Sequence, residues 1–297
     1  MVARQSLRAD LRAVRAVTAE VSPIMDADVP AVANFLRVNH NDRTPWSASC
    51  SELWHADRPN HGFMLSDGQR VVGVLLALYS ERLVAGRLER FCNMGTWCVL
   101  PEYRSKSMTL VRTLLDQEGF HITVLSPNEG PQEILAWLKF RFLDTSAALI
   151  PNLPWPSLPG RTKISADPVV IERSLVGSAL ALYRDHALAL AARHLVVTRG
   201  RESSHVMYRE FRYKDALGYA MILYVSNPEL IHRSLIPLTR HLLLSRGLVA
   251  TLAELRIIER RPVLSFSLNN RPKMFRSASL GPEQIDYLYS ELACVPW

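Results

Sequence analysis

The sequence predicts a mixed α/β fold that is repeated in tandem. Strand and helix signals alternate along the first half, a proline-rich run at 151–160 interrupts them, and the second half repeats their order. A chain of 297 residues also has the length expected for about two domains. We therefore expect a first domain at 1–152, a proline-rich linker at 153–165 and a second domain at 166–297.

The first half is expected to begin with a strand near 16–22 and a helix capped by Asp26 or Asp28. The Asp67-Gly68 pair then predicts the tight turn of a β-hairpin. The further elements expected in this half are strands at 87–94, 95–100 and 121–126, and helices at 105–118 and 130–142.

The second half repeats short sequences of the first. Pro101-Glu102, after a predicted strand, corresponds to Pro228-Glu229, and Gly119, which is expected to end a helix, corresponds to Gly247. The elements expected here are a helix at 167–192, strands at 194–199, 204–213 and 219–226, and a terminal helix packed by Tyr287 and Tyr289.

Composition favours an intracellular protein that binds an anionic ligand. The net charge is +7 and the pI is near 9.4, but the basic residues are scattered rather than clustered, which argues against a nucleic-acid surface. No apolar segment is long enough for a membrane span or typical of a signal peptide. The four cysteines have no CxxC spacing, so we expect reduced cytoplasmic thiols and no bound metal.

The most informative segment is 97–115, which predicts a buried strand, a basic hydroxyl-rich turn and an amphipathic helix. The first amides of a helix have no partner within it and carry its positive dipole end, so this order favours an anion site. Arg104 and Lys106 add positive charge to the turn. The segment therefore predicts a phosphate-binding turn.

This segment resembles the acyl-CoA loop of the GNAT superfamily of N-acetyltransferases. The resemblance covers about 16–152 and includes the Val99-Leu100-Pro101-Glu102-Tyr103-Arg104 strand end and the hairpin around Asp67-Gly68. It implies an acyl-CoA N-acyltransferase-like fold, in which acetyl-CoA or a longer acyl-CoA lies in a splay between the fourth and fifth strands. Ser107 and Thr109 replace the glycines of the family loop, and side chains there crowd the phosphate oxygens.

The resemblance also implies the residues that bind the co-substrate. A main-chain N–H of the fourth strand, that of Cys98 or Val99, would stabilise the negative charge that develops on the thioester oxygen. The full set implied for acyl-CoA binding is Cys98, Val99, Leu100, Arg104, Ser105, Lys106, Ser107, Met108 and Thr109.

Four residues are candidates for catalysis. Glu89 is a candidate base, with a surface ion pair as the alternative; Glu102 lies near the expected reaction centre or simply caps the next helix. Cys98, like Cys92, is either a nucleophile or a buried strand cysteine. Tyr103 is a candidate acid for the departing thiolate, because Trp137 stands where the family offers a tyrosine.

Two histidines of the polar loop at 39–62 are further candidates. His55 and His61 are either a base or acceptor ligands, or they are solvated loop residues. The loop also contains Trp46 and Trp54, for which an acceptor pocket and a packing role remain equally open.

These features predict an acyltransferase that moves an acyl group from acyl-CoA, or from an acyl carrier protein, to an amine or hydroxyl of a small molecule. The second domain would be a degenerate partner. The alternatives are a non-catalytic acyl-CoA-binding or scaffold protein on the same fold and, less favoured by charge distribution, a nucleic-acid-binding protein.

Overall fold

A computed structural model describes residues 18–50, 54, 57–156, 161–213 and 217–296. Over these residues the chain forms two seven-stranded mixed sheets with flanking helices, which confirms the predicted mixed α/β class. His55 lies outside the described residues. No helix of the described part is long and apolar enough to cross a membrane.

The strands and helices have the following bounds. The strands of the first half are β1 (Glu20–Pro23), β2 (Gly62–Asp67), β3 (Arg70–Val84), β4 (Arg87–Val99), β5 (His121–Val124), β6 (Arg141–Phe142) and β7 (Ser146–Pro151). Those of the second half are β8 (Thr162–Ser165), β9 (Arg193–Arg199), β10 (Glu202–Tyr213), β11 (Leu217–Val225), β12 (Leu248–Glu254), β13 (Phe266–Asn269) and β14 (Met274–Arg276). The helices are α1 (Val29–Asn39), α2 (Trp46–Ser49), α3 (Ser107–Leu115), α4 (Glu129–Trp137), α5 (Pro168–Ser174), α6 (Gly177–His186), α7 (Pro228–Arg233), α8 (Leu235–Arg246), α9 (Leu255–Ile258) and α10 (Glu291–Cys294).

The two sheets have the same internal order and exchange one strand each. The first sheet runs β1-β2-β3-β4-β5-β14-β6 and the second runs β8-β9-β10-β11-β12-β7-β13. In both, a single parallel pair, β4 with β5 and β11 with β12, lies among antiparallel pairs. Because β7 joins the second sheet and β14 joins the first, each sheet is completed by the other half of the chain.

The structure differs from the expected elements at four places. The helix expected at 130–142 ends at Trp137, and Arg141–Phe142 forms the strand β6. The strands expected at 87–94 and 95–100 are one strand, β4, since β3 pairs along its whole length with one irregularity between Leu75 and Ala77. The helix expected at 167–192 is two helices, α5 and α6. The predicted terminal helix is wrong around Tyr287 and Tyr289, which lie in irregular chain before the short helix α10.

The sheet exchange bears on the predicted boundaries. β7 ends at Pro151, before the boundary at 152, yet pairs only within the second sheet, and the linker expected at 153–165 contains β8, an edge strand of that sheet. The division of the chain at 152 and 166 stays a prediction, and so does a duplication as the origin of the two sheets.

Two apolar layers hold the first sheet. On one face, α1 and α2 pack against Val74, Leu76 and Phe91, in a core that continues into the second half through Met207 and Leu252. On the opposite face, α3 and α4 cover a second core of the same sheet. The first core therefore joins the two halves.

A substitution at Phe275 of β14 tests how strongly the exchanged strand stabilises the molecule. Its ring is 1% exposed in the shared core, and the Arg141 guanidinium lies 4.5 Å from the ring centroid. We expect Phe275→Ala to lower the free energy of unfolding by about 3–5 kcal/mol, the usual cost of such a cavity. Denaturant unfolding followed by circular dichroism measures this, with Leu83→Ala, at an exposed position, as the control. A loss no larger than that of the control would contradict the assignment.

A histidine cluster, formed by the buried His186 and His205 and the half-buried His194, is linked by hydrogen bonds. The Nε2 of His194 lies 3.0 Å from the carbonyl oxygen of His186 and must donate to it, so its Nδ1, 3.0 Å from His205 Nε2, accepts. His186 in turn accepts from the Tyr289 amide at Nε2, at 3.0 Å. The two accepting nitrogens require that His194 and His186 be neutral.

This histidine cluster predicts that acid lowers the stability of the fold. Burial lowers the pKa of His186 and His194 to about 4 and that of His205 to about 3, from an ordinary value of 6.5. Because the unfolded chain binds more protons between those values, the stability that the neutral imidazoles contribute is full above pH 6.5 and is lost as the pH falls toward 4. Thermal unfolding from pH 7 to pH 4.5 checks this. The His205→Gln variant should have a shallower pH dependence than the wild type; an unchanged slope would contradict the prediction.

Candidate active site

A cleft opens where β4 and β5 separate. The two strands pair only between Phe91–Asn93 and 121–123 and then diverge. The opening has a volume of about 270 Å³. Its walls are formed by the second part of β4, the chain after β5, the start of α4 and one residue from the second half: His40, Met94, Gly95, Thr96, Trp97, Val124, Ser126, Pro127, Asn128, Pro131, Leu135 and Arg271.

Two buried side chains replace the missing strand pairing at the closed end of the cleft. Asn93 Nδ2 donates to Thr123 Oγ1 at 3.1 Å, and Asn93 Oδ1 accepts from the amide of Glu291 at 2.9 Å. The Glu291 carboxylate then accepts from the amide of Leu125 and the hydroxyl of Ser126 through Oε1, at 3.2 and 2.9 Å. A residue of the second half therefore lies between the diverging strands of the first.

The separation leaves main-chain donors of β4 without a strand partner on the cleft side. The amide of Leu100 donates to Val72 of β3 at 2.9 Å. Since alternate residues of an antiparallel pair hydrogen-bond to the same neighbour, the Cys98 amide also faces β3, where Cys98 pairs with Val74. The amides of Trp97 and Val99 then face the side from which β5 has diverged. Of the two donors expected from the sequence, the strand geometry selects Val99.

A separate open groove lies between α3 and α4, and Met108, Arg112, Glu133 and Trp137 are among the residues that line it. Arg104 and Lys106 are exposed in the turn before α3, and within the described chain neither these two cations nor Arg112 forms an ion pair. The turn and the helix that follow β4 therefore carry three cations without an ion-pair partner, and the Glu133 carboxylate lies in the same groove as Arg112.

The turn before α3 is more tightly wound than expected. Pro101–Lys106 forms a 3-10 helix that continues into α3, so the amides of Tyr103 and Ser107 already donate to Leu100 and Arg104. Fewer main-chain donors are open to a phosphate than an isolated helix N-terminus would offer. The side chains of Arg104 and Lys106 remain exposed.

The equivalent opening in the second sheet is closed. β11 and β12 separate after Met221 and Leu252, but the space between them has a volume of only about 20 Å³ and is lined mainly by apolar side chains. α9 follows β12 directly, and His232 Nε2 donates to its Ile258 carbonyl at 2.7 Å. Only the first of these two clefts has room for a ligand.

No family model matches the sequence, and no curated protein matches it. Solved structures do match the fold. A GCN5-related N-acetyltransferase from Kribbella flavida aligns with a TM-score of 0.57 at 15% identity, over 87% of this chain and 70% of that chain. One from Anabaena variabilis aligns with a TM-score of 0.54 at 11% identity, over 87% and 72%. The chain has the GCN5-related N-acetyltransferase (GNAT) fold.

In this GNAT fold, the candidate base Glu89 does not reach the cleft. It lies on β4 before the segment that pairs with β5, about six residues or roughly 20 Å from Gly95 at strand spacing. Its carboxylate lies 3.0 Å from His121 Nε2, and Ser277 contacts the other ring nitrogen of that histidine. Glu89 therefore contacts His121 rather than the cleft.

Tyr103 and Glu102 also point away from the cleft. The Tyr103 hydroxyl donates to Asp67 Oδ2 at 2.5 Å, and this hydrogen bond raises the tyrosine pKa. Asp67 ends β2, two strands from β4 on the side away from β5, which is about 10 Å at normal strand spacing. Glu102 is exposed in the first turn of the 3-10 helix, as expected for a capping acid.

Neither cysteine of β4 is activated. The Cys98 thiol lies 3.7 Å from the carbonyl oxygen of Asn39, and burial raises its pKa. Burial raises the pKa of Cys92 to about 12. Both thiols are therefore protonated at neutral pH; Cys92 is buried in the strand, whereas Cys98 is half-buried.

The sequence did not single out His40 and Arg271, which line the cleft, or Glu291, which lies beside it. His40 ends α1 and stacks on Trp46 with 5.5 Å between ring centroids, and burial lowers its pKa, so it is neutral at pH 7. Arg271 and Glu291 come from the second half. No local signal marks these two residues, because only the exchange of strands brings the second half to this cleft.

We expect acetyl-CoA to leave the Cys98 thiol unmodified, because a protonated thiol is a poor nucleophile. Mass spectrometry of the wild-type protein after incubation with acetyl-CoA should find no covalent acyl group on Cys98. An acylated Cys98 peptide would contradict this interpretation.

Proposed function

We propose that the chain transfers an acyl group from acyl-CoA to a small-molecule acceptor in the β4–β5 cleft. The observation that carries this proposal is a cleft whose strand wall presents main-chain amides without a strand partner, together with the three cations of the turn and helix that follow this strand. Acyl-CoA has a thioester on a flexible, amide-containing arm and phosphates at the far end of that arm, so it matches both features.

In this proposal the Val99 amide donates to the thioester oxygen. Negative charge grows on that oxygen as the acceptor attacks, and a fixed main-chain donor stabilises it without reorganisation. The acyl carbon would then lie beside Val99, and the pantetheine arm would run from there toward the turn that follows β4.

The phosphates of the co-substrate would lie against Arg104, Lys106 and Arg112. Amides of the 3-10 turn are already hydrogen-bonded, and Ser107 and Thr109 stand in place of glycine. Phosphate binding would therefore depend more on side chains than on the main chain. Cations bind phosphate mainly through charge, so this interaction is expected to weaken with salt.

A non-catalytic acyl-CoA-binding protein is the second candidate function. It is favoured by the position of Tyr103 and by Trp137, neither of which offers a proton to a departing thiolate in the cleft. We also propose an acyl carrier protein as the alternative donor. A duplication is proposed as the origin of the second sheet.

Calorimetry with acetyl-CoA and with a long-chain acyl-CoA, followed by a free-thiol release assay with amines and alcohols, separates the two functions. Binding with acceptor-dependent thiol release supports the enzyme. Binding without release supports the second candidate, and an absence of binding to any acyl-CoA contradicts both.

Arg104→Ala is expected to weaken CoA binding about fivefold to tenfold, because it removes one charge from the phosphate site, or about 1–1.4 kcal/mol. Calorimetry at low and at high salt measures this effect, and the difference between variant and wild type should shrink in high salt. Arg201→Ala, an exposed arginine between β9 and β10, is the matched control. Equal affinities for the Arg104 variant and the control would move the phosphates elsewhere.

A further inference from the structure

Arg271 lies on the wall of the cleft across from β4. The pairing of β14 with β5 places Met274 opposite Val124. When this antiparallel register is continued, Arg271, three residues before Met274, comes beside Pro127 in the chain that leaves β5. Arg271 and Pro127 both line the cleft. The main-chain amides of β4 and the Arg271 side chain therefore approach the cleft from opposite sides.

Among the described residues that line the cleft, Arg271 is the one with a charged side chain. The others are apolar, glycine or proline, or they carry neutral polar groups, as Thr96, Ser126 and Asn128 do. His40 also lines the cleft, and burial lowers its pKa, so it is neutral at pH 7. The described wall of the cleft therefore has one cation and no carboxylate.

The carboxylates of this region have other partners. Within the described chain, Arg271 forms no ion pair. Glu254 Oε1 accepts from Lys273 Nζ at 2.5 Å, and its Oε2 accepts from the Tyr287 hydroxyl. Glu291 is 1% exposed and hydrogen-bonds to the chain after β5. The exposed Arg271 guanidinium is therefore available to an anion in the cleft.

The main chain at Arg271 is held on both sides. The Asn270 amide donates to the Thr145 carbonyl at 2.9 Å, and the Thr145 hydroxyl donates to the Asn270 carbonyl at 3.1 Å. Asn270 Oδ1 accepts from the Arg271 amide at 2.8 Å, and Asn270 Nδ2 donates to Glu254 at 2.6 Å. Lys273 donates to the same carboxylate. Only the Arg271 side chain must therefore be ordered when it binds a ligand, which lowers the entropic cost of binding.

We propose that Arg271 binds a carboxylate group of the acceptor, so that the acceptor is an anion held between β14 and β4. A guanidinium offers two parallel N–H donors, which match the two oxygens of a carboxylate. With this end fixed on one wall, the nucleophilic group at the other end is directed toward the thioester beside Val99 on the opposite wall. The inference rests on the proposed function and narrows the acceptor from small molecules in general to small carboxylic acids.

Two pairs of probes separate the charge of the acceptor from its size and its nucleophile. They are 4-(aminomethyl)benzoate with 4-(aminomethyl)benzamide, and 4-(hydroxymethyl)benzoate with 4-(hydroxymethyl)benzamide. Within each pair a carboxylate is replaced by a neutral amide of nearly the same shape. Calorimetry on the full chain without acyl-CoA should show each carboxylate binding about tenfold more tightly than its amide. Equal affinities within both pairs, or no detectable binding of either carboxylate, overturn the proposal.

Substitutions at Arg271 assign the preference to this side chain. Arg271→Gln should remove it, and Arg271→Lys should keep part of it, because lysine retains the charge but not the paired donors. Arg276→Gln is the matched control, since Arg276 is an exposed arginine of β14 that does not line the cleft, and it should keep the full preference. Added salt should reduce the preference in the wild type. A preference for the carboxylates that survives in Arg271→Gln overturns the proposal.

Thiol release with acetyl-CoA provides the second measurement. Arg271→Gln should raise the KM for the carboxylate acceptors about tenfold and leave kcat within about twofold, because this contact is made equally before and during the reaction. The kinetics of the neutral amide acceptors and the affinity for acetyl-CoA should not change. A loss of acetyl-CoA affinity with no change in acceptor preference would assign Arg271 to the phosphates of CoA and overturn the proposal.

Succinyl-CoA tests whether the carboxylate belongs to the acyl donor instead. A preference for succinyl-CoA over acetyl-CoA that depends on Arg271, with no preference among the acceptor probes, overturns the proposal. The two proposals fail separately. Absence of acyl-CoA binding contradicts the proposed function, whereas acyl-CoA binding without an Arg271-dependent preference for the carboxylate probes contradicts only this inference.

Discussion

The antiparallel pairing of β14 with β5 is the constraint on which the rest of the structure depends. It brings a strand of the second half into the first sheet, and β7 makes the reverse move. Because each sheet lacks a strand until the other half is present, the halves share one core rather than meeting at a surface. The chain that follows β14 is thereby directed back over the first sheet.

This return of the chain shapes the cleft. Glu291 reaches the point where β4 and β5 part and gives the Leu125 amide the acceptor that a continued sheet would have supplied. On β4, the Asn93 side chain accepts from the Glu291 amide and donates to Thr123 of β5. The separation is thus stabilised by hydrogen bonds specific to these side chains, and the unpaired amides beyond it become available to a ligand.

The two clefts illustrate how the same sheet order leads to different chemistry. The first is open and partly polar, whereas the second is small, apolar and covered by α9. Strand order sets where a cleft forms, but the segment after the parallel strand decides whether it stays open. In the first half that segment is a proline- and serine-containing loop; in the second it turns directly into helix.

The mixed α/β class, the hairpin at Asp67-Gly68 and the strand, turn and helix of 97–115 could be predicted from the sequence, because they follow from local periodicity and turn chemistry. The sequence left Cys98 and Val99 as alternative donors, and the strand pairing leaves the Val99 amide on the cleft side. The partners of Glu89 and Tyr103, and the approach of His40 and Arg271 to the cleft, follow only from the folded structure. A side chain's partners depend on strand exchange and on the direction of each strand, and neither is encoded in the spacing of nearby residues.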